Sequence, residues 1–206
     1  MIKLALACLV LASCSARAVP SMHAITASTA SSPPPAGPGQ ASVVFVRPPS
    51  SCDSIDYTTI VDENGHFVGS AGGSTAFLVN VPAGRHVFYA WSHIEMPPDR
   101  YYAPINAVAL DLSEGSVAHV EIRTAQGPGL RCYAKSLGYA LVPRDDSDAA
   151  RAEFESWRRD ATPLEPDVEA GERDLNEARS VVCSHIEAVR GRVHAPPPAS
   201  CAVSTR

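Results

Sequence analysis

The chain has almost no lysine. Only Lys3 and Lys135 occur in 206 residues, and every other cation is an arginine. Seventeen basic residues against 22 acidic ones leave a net charge of −5 and a pI near 5.8. A nucleic-acid binder needs a basic face to displace counterions from phosphates, so the composition argues against that class. It argues equally against a polybasic membrane patch. Long apolar runs are also missing. Leu4 to Ala12 falls far short of the ~20 residues a spanning helix requires, and no later segment qualifies. No C-x-x-C occurs, which leaves a thioredoxin-like centre or a zinc finger unsupported. Neither G-x-S-x-G nor H-E-x-x-H is present. Gly69 to Gly73 is glycine-rich but lacks the Lys-Ser/Thr that completes a phosphate-binding loop. Glu165, Asp167, Glu169 and Glu172 do not have EF-hand spacing. No catalytic residue, cofactor or metal site is therefore expected.

What is present starts with an address. Met1-Ile2-Lys3 followed by Leu4 to Ala12 has the charged and apolar parts of a secretory signal. Leu11-Ala12-Ser13-Cys14 resembles the lipobox of bacterial lipoproteins at all four positions. The resemblance implies cleavage between Ser13 and Cys14, with Cys14 lipidated as the mature N-terminus. One acyl chain holds a protein only marginally, whereas two hold it stably, at ~0.8 kcal/mol per buried methylene. Ser15 stands where such lipoproteins often carry an inner-membrane-retaining Asp, which implies the outer membrane, facing the periplasm. A competing cleavage site is Ala16-Arg17-Ala18, which would discard Cys14 and release a soluble protein beginning at Val19. Residues 14–40 are rich in Ser, Ala, Thr and Pro and have no apolar periodicity. They are expected to be a disordered tether, with a coil span of roughly 28 Å. His23, inside it, is expected to be merely solvated.

Residues 41–144 change character, with short apolar runs separated by turn signals. Strands are expected at Val43–Val46, Tyr57–Val61, His66–Gly69, Ala76–Val81, Arg85–Trp91, Ile105–Leu112, Val117–Thr124 and Tyr133–Val142. Asn64-Gly65 is a hairpin cue because both residues tolerate positive φ, and Pro82-Ala83-Gly84 reads as a tight turn. Alternation puts Val87, Tyr89 and Trp91 on one face and His86, Phe88 and Ala90 on the other. It likewise sets Ala118, Val120 and Ile122 inward and His119, Glu121 and Arg123 outward. Strands this frequent without intervening helices predict an antiparallel sandwich or small barrel, and a β-sandwich of about seven to eight strands is the expected fold.

The run Val61-Asp62-Glu63-Asn64-Gly65-His66-Phe67-Val68-Gly69, then Val81-Pro82-Ala83-Gly84-Arg85-His86, then Glu114-Gly115, is similar to PEGA-type β-domains and to related small envelope lipoproteins. The resemblance covers roughly half of the chain. It implies a β fold and brings no catalytic residues. The chain departs from the pattern by inserting Glu63-Asn64 in the hairpin and by a longer loop from Ile94 to Ala103.

Residues 145–192 favour helix, and 193–206 read as a tail. Asp146 or Ser147 can cap a helix striped by Ala150, Phe154, Trp157 and Ala161. Thr162-Pro163-Leu164-Glu165 resembles a capping box opening a second helix, with Pro166 as an alternative start. Its stripe is Leu175, Ala178, Val182, Ile186 and Val189, and Gly191 is expected to end it. The fold class is thus mainly β with two C-terminal amphipathic helices (α+β). The helices are expected on one face of the β domain, with a helical hairpin or a partner protein as the alternative.

Four cysteines remain besides Cys8 and Cys14. Cys52 with Cys132 and Cys183 with Cys201 are the favoured disulfides, although a crossed pairing stays open. Arg100, Tyr101 and Tyr102 form a candidate binding loop stiffened by Pro97-Pro98. His93-x-Glu95 and His119-x-Glu121 are expected to be exposed strand residues. The functional expectation is a non-enzymatic envelope lipoprotein that binds a protein or cell-wall polymer or serves as a structural part. The alternative is a metal-binding or hydrolytic protein using His93, Glu95, His119 and Glu121.

Overall fold

Among the described residues eleven strands make two sheets, of six and five strands. A computed structural model describes residues 21–24, 36–48, 56–96, 99–102, 106–125, 138–145, 147–193 and 201. In chain order the strands are β1 (Met22–Ala24), β2 (Gln40–Arg47), β3 (Asp56–Val61), β4 (Phe67–Ala71), β5 (Thr75–Pro82), β6 (Gly84–Met96), β7 (Asp99–Tyr102), β8 (Asn106–Leu112), β9 (Val117–Ala125) and β10 (Gly138–Pro143). Helix α1 (Asp148–Asp160), β11 (Thr162–Pro166) and α2 (Val168–Arg190) follow.

The six-stranded sheet runs β1-β11-β5-β2-β9-β10. The other runs β4-β3-β6-β7, with β8 also paired to β6. β3 takes one edge of β6, and the opposite edge is shared in succession by β8 and β7. The expected all-antiparallel arrangement is corrected. β2 pairs β9 in parallel, and β11 pairs β5 in parallel, so the first sheet is mixed. The expected seven or eight strands are also too few. β7 lies in the stretch read as a loop, β11 in the stretch read as a helix start, and β1 in the stretch read as a disordered tether.

Period-two alternation explains the layers. Val43, Phe45, Ile60, Phe77, Phe88, Val120 and Ile122 come from both sheets and share one buried cluster. Intervening residues face the other way and meet the helices. Val61, Phe67, Val87, Tyr89 and Trp91 pack with Leu175, Val182, Ile186 and Val189 of α2. Val44, Val46 and Ala76 pack with Phe154 of α1, flanked by Trp157 and Ala161. The two helices therefore cover opposite sheets rather than one face, α1 through Phe154, Trp157 and Ala161 and α2 through Leu175, Val182, Ile186 and Val189 of the stripes read from their sequences. Each such large apolar side chain contributes roughly 1.5–3 kcal/mol by leaving water.

The caps follow local chemistry. Ser147 caps α1, its Oγ accepting from the Ala150 N–H at 3.3 Å. Asp167 caps α2, its Oδ1 accepting from the Ala170 N–H at 2.9 Å. The expected starts at Thr162 or Pro166 are corrected: both belong to β11, whose Leu164 is buried opposite Phe77. Gly191 does end α2, but with φ of −61° it needs no glycine freedom, and the chain continues into a short 3-10 turn. No helix among the described residues is long and apolar enough to cross a membrane.

Candidate functional site

Two candidates that looked separate in the sequence lie on one hairpin. β6 does not stop at Trp91 but runs to Met96, and β7 returns against it. The register sets His93 opposite Tyr102, Ile94 opposite Tyr101, Glu95 opposite Arg100 and Met96 opposite Asp99. The expected loop from Ile94 to Ala103 is thereby corrected over its strand residues. The reason is local: Ile94, Tyr101 and Tyr102 are strong strand formers, and the two prolines at 97–98 made the whole stretch read as irregular. β7 ends the path of its sheet among the described residues, so Arg100, Tyr101 and Tyr102 lie on an edge strand, whereas His93 of β6 is paired on both sides, to Tyr57 and to Tyr102. Strand edges with Tyr and Arg are suited to recognition, since backbone groups and large side chains are offered together. For His93, Glu95, Arg100, Tyr101 and Tyr102 the structure describes the backbone alone.

His119 and Glu121 lie on β9 of the other sheet, so the structure does not gather the four residues of the metal alternative. Glu121 is engaged elsewhere. It accepts from Arg123 Nε at 3.0 Å and Nη2 at 2.7 Å, and from Arg144 Nη1 at 3.2 Å. Its side chain is 7% exposed. Arg144 also pairs with Glu153 of α1, and its guanidinium lies 5.0 Å from the centre of the Trp157 ring. The His119 ring is 4.7 Å from that of Phe154. The expected exposure of His119 and Glu121 is corrected: α1 covers this face, and Arg144 links Glu121 on the sheet to Glu153 on the helix. Among the described residues no three His, Cys, Asp or Glu side chains are grouped to hold a metal ion.

The residues Asp62–Gly65 and Pro82–His86 serve turns. Asp62 Oδ1 accepts from the N–H groups of Asn64 at 2.9 Å and His66 at 2.8 Å, and Gly65 takes a φ of 78°. The inserted Glu63 has its own task. Its Oε1 lies 3.0 Å from His86 Nδ1, and its Oε2 accepts from the Val87 N–H at 3.4 Å. His86 Nε2 lies 2.8 Å from the Pro82 carbonyl. One imidazole thus bridges the β3–β4 turn and the β5–β6 turn.

The displaced acid–base groups have structural causes as well. The Ala170 N–H, and then His23, hold the Asp167 carboxyl below the usual carboxylate range. Ser147 does the same for Asp145, and Arg190 for Glu187. Burial pushes the Tyr89 phenol up, and its hydroxyl has no hydrogen-bond partner among the described residues. No protein-family model matches the chain, and no curated protein matches it. Cys183 and Cys201 are joined by a disulfide with a Cα–Cα distance of 5.4 Å. Ser13, Cys14, Cys52 and Cys132 lie outside the described residues.

Arg47 went unnoticed in the sequence. It is fully buried, and its Nη1 donates to the Ala71 carbonyl at 3.3 Å. The signal existed: with Ala41, Val43 and Phe45 facing inward, a period of two places Arg47 inward too.

Proposed function

We propose that the protein is a lipid-anchored envelope lipoprotein whose β domain is a non-enzymatic binding or structural module. On this reading Cys14 carries the lipid, and the anchor is in the outer membrane, facing the periplasm. The domain is a sandwich-like pair of sheets in the manner of PEGA-type modules. The hairpin β6–β7 is its contact edge, presenting Arg100, Tyr101 and Tyr102 to an envelope protein or cell-wall polymer.

The lipobox Leu11–Cys14 carries this proposal. The Cys183–Cys201 disulfide supports it, because such bonds persist in oxidising compartments and are rare in the reducing cytosol. The engagement of Glu121, Glu63 and His86 in structural contacts favours a scaffold over a hydrolytic site.

Metabolic labelling with a fatty acid in a bacterial host tests the anchor. Label on the native chain and none on Cys14→Ala is expected. An unlabelled chain beginning at Val19 would instead establish the secreted alternative. Crosslinking in intact cells tests the edge. The crosslinked product should disappear when Arg100, Tyr101 and Tyr102 are replaced together by alanine, and persistence of the same product refutes the contact edge.

A further inference from the structure

A tether read as free from Cys14 to Gln40 is pinned part-way along. β1 adds to the sheet beside β11, with Met22 opposite Pro166, His23 opposite Glu165 and Ala24 opposite Leu164. Side chains and backbone reinforce the pairing. The Asp167 N–H donates to the Ser21 carbonyl at 2.9 Å, and Ser21 Oγ donates to Asp174 Oδ2 at 2.6 Å. His23, expected to be merely solvated, has Nε2 3.2 Å from Asp167 Oδ2. Met22 packs against both the inter-sheet cluster and the cluster under α2, and its Sδ lies 3.2 Å from the Ser70 N–H. Ser21 adopts a φ of 58°, a left-handed conformation uncommon for a non-glycine residue. Its two contacts to the start of α2 hold that bend.

The attachment is specific but small. β1 has three residues, of which His23 and Ala24 are exposed and only Met22 is partly buried. Short edge strands with few buried apolar contacts belong to the part of a fold that opens at low cost.

We propose that Ser21–Ala24 are a releasable clasp that sets the working length of the membrane tether, an inference that rests on the lipid-anchor reading of Cys14. When the clasp is docked, only Ser15–Pro20 separate the lipidated residue from the domain. Such a segment reaches at most about 25 Å when fully extended. When it is released, the tether runs from Cys14 to Gln40 and reaches up to about 90 Å. Docking therefore holds the domain close to the lipid surface, and release lets it reach out into the periplasm.

Hydrogen exchange read by mass spectrometry on the full-length protein in vesicles tests the docking. The peptide containing Ser21–Ala24 should exchange at least about tenfold more slowly than a free chain. Met22→Asp, which would put a carboxylate among apolar side chains, should abolish that protection and leave the exchange of β2, β5 and β9 unchanged. Met22→Leu should keep it. In the same vesicles, carrying a dansyl-labelled lipid, energy transfer from Trp91 and Trp157 should fall in Met22→Asp and not in Met22→Leu. Free-chain exchange in the native protein overturns the clasp. Equal energy transfer in both variants overturns its length-setting role. If Cys14 takes no fatty acid, the anchor reading fails and that role fails with it. If Cys14 is labelled and exchange is unprotected, the clasp alone fails.

Discussion

Gly171→Ala sets two known effects of opposite sign against each other. Gly171 lies in the first turn of α2, where alanine is normally favoured over glycine by about 1 kcal/mol. Here the helix meets the sheet too closely. A Cβ built on Gly171 would fall inside van der Waals contact with Cδ1, Cγ and Cε1 of Phe67. The ring cannot swing away into solvent, because Phe67 is only 6% exposed. Its backbone cannot move freely either, since its N–H donates to Glu172 Oε1 at 2.6 Å, one residue along the same helix. Nor can β4 slide inward. On its far side Gly69 already abuts Phe77, whose Cε2 would lie 2.5 Å from an added Cβ. β4 is thus held from both directions. Overpacking of this kind costs about 1–3 kcal/mol and outweighs the propensity gain. Contacts as short as these place the cost at the upper end of that range, so a net destabilisation of up to about 2 kcal/mol is expected, or a fall in Tm of up to roughly 8 °C for a chain of this size. Circular dichroism melts of native and Gly171→Ala protein measure it. Adding Phe67→Leu should recover part of the loss, giving a favourable coupling of at least about 0.5 kcal/mol. A Gly171→Ala protein that melts higher than the native one would refute the close approach of α2 to β4.

Three further perturbations follow from the same contacts. Replacing Cys183 and Cys201 by serine opens a cross-link between residues 18 apart in sequence, and a loss of roughly 3 kcal/mol is expected from urea midpoints; midpoints that coincide would show that the bond adds nothing. Tyr89→Phe removes a buried hydroxyl that has no partner among the described residues, so it should leave stability unchanged or raise it by up to about 1 kcal/mol; a clear loss would mean that the hydroxyl is satisfied. Asp167 has its carboxyl pKa lowered on folding, first by the Ala170 N–H and then by His23. Its contribution is therefore complete above the unfolded value of about 3.9 and is lost as pH falls through the lower folded value. Asn is also a good cap, so Asp167→Asn should match the native protein near neutral pH and lose less stability below about pH 4. Superimposable acid-unfolding profiles would reject that assignment.

How much of this was legible depended on which force fixes each element. Alternation set Val87, Tyr89 and Trp91 on the face opposite Phe88 and Ala90 and placed Val120 and Ile122 inward, because burial of one face is written directly into a period of two. The stripes of α1 and α2 were legible for the same reason, as was the Ser147 cap. β11 was not. Thr162-Pro163-Leu164-Glu165 satisfies a helix-start pattern, and only the burial of Leu164 beside Phe77 decides for a strand. β1 was less legible still, since three residues without alternation owe their place to backbone pairing with β11 and to Asp167 and Asp174. No local pattern announces a partner more than a hundred residues away.

The candidate sites divide along the same line. The motif residues were the easiest to see, and they proved to be the most structural. Asp62 and Gly65 close a turn, and His86 latches that turn to the next through Glu63. Glu121, read as outward, is outward only with respect to the inter-sheet core. A strand face has two sides, and alternation cannot say whether a helix covers the second. Here α1 covers it, and Arg144 joins Glu121 to that helix through Glu153. Turn chemistry and covered charges thus account for most of the conspicuous residues. On the proposed reading, what they leave for recognition is a strand edge, β7, and the three-residue strand β1 proposed as a releasable clasp. Both are features of pairing rather than of motif. Function in such a chain is therefore to be sought where backbone edges are offered or released, and the alanine replacement of Arg100, Tyr101 and Tyr102 and the Met22 variants address those two edges separately.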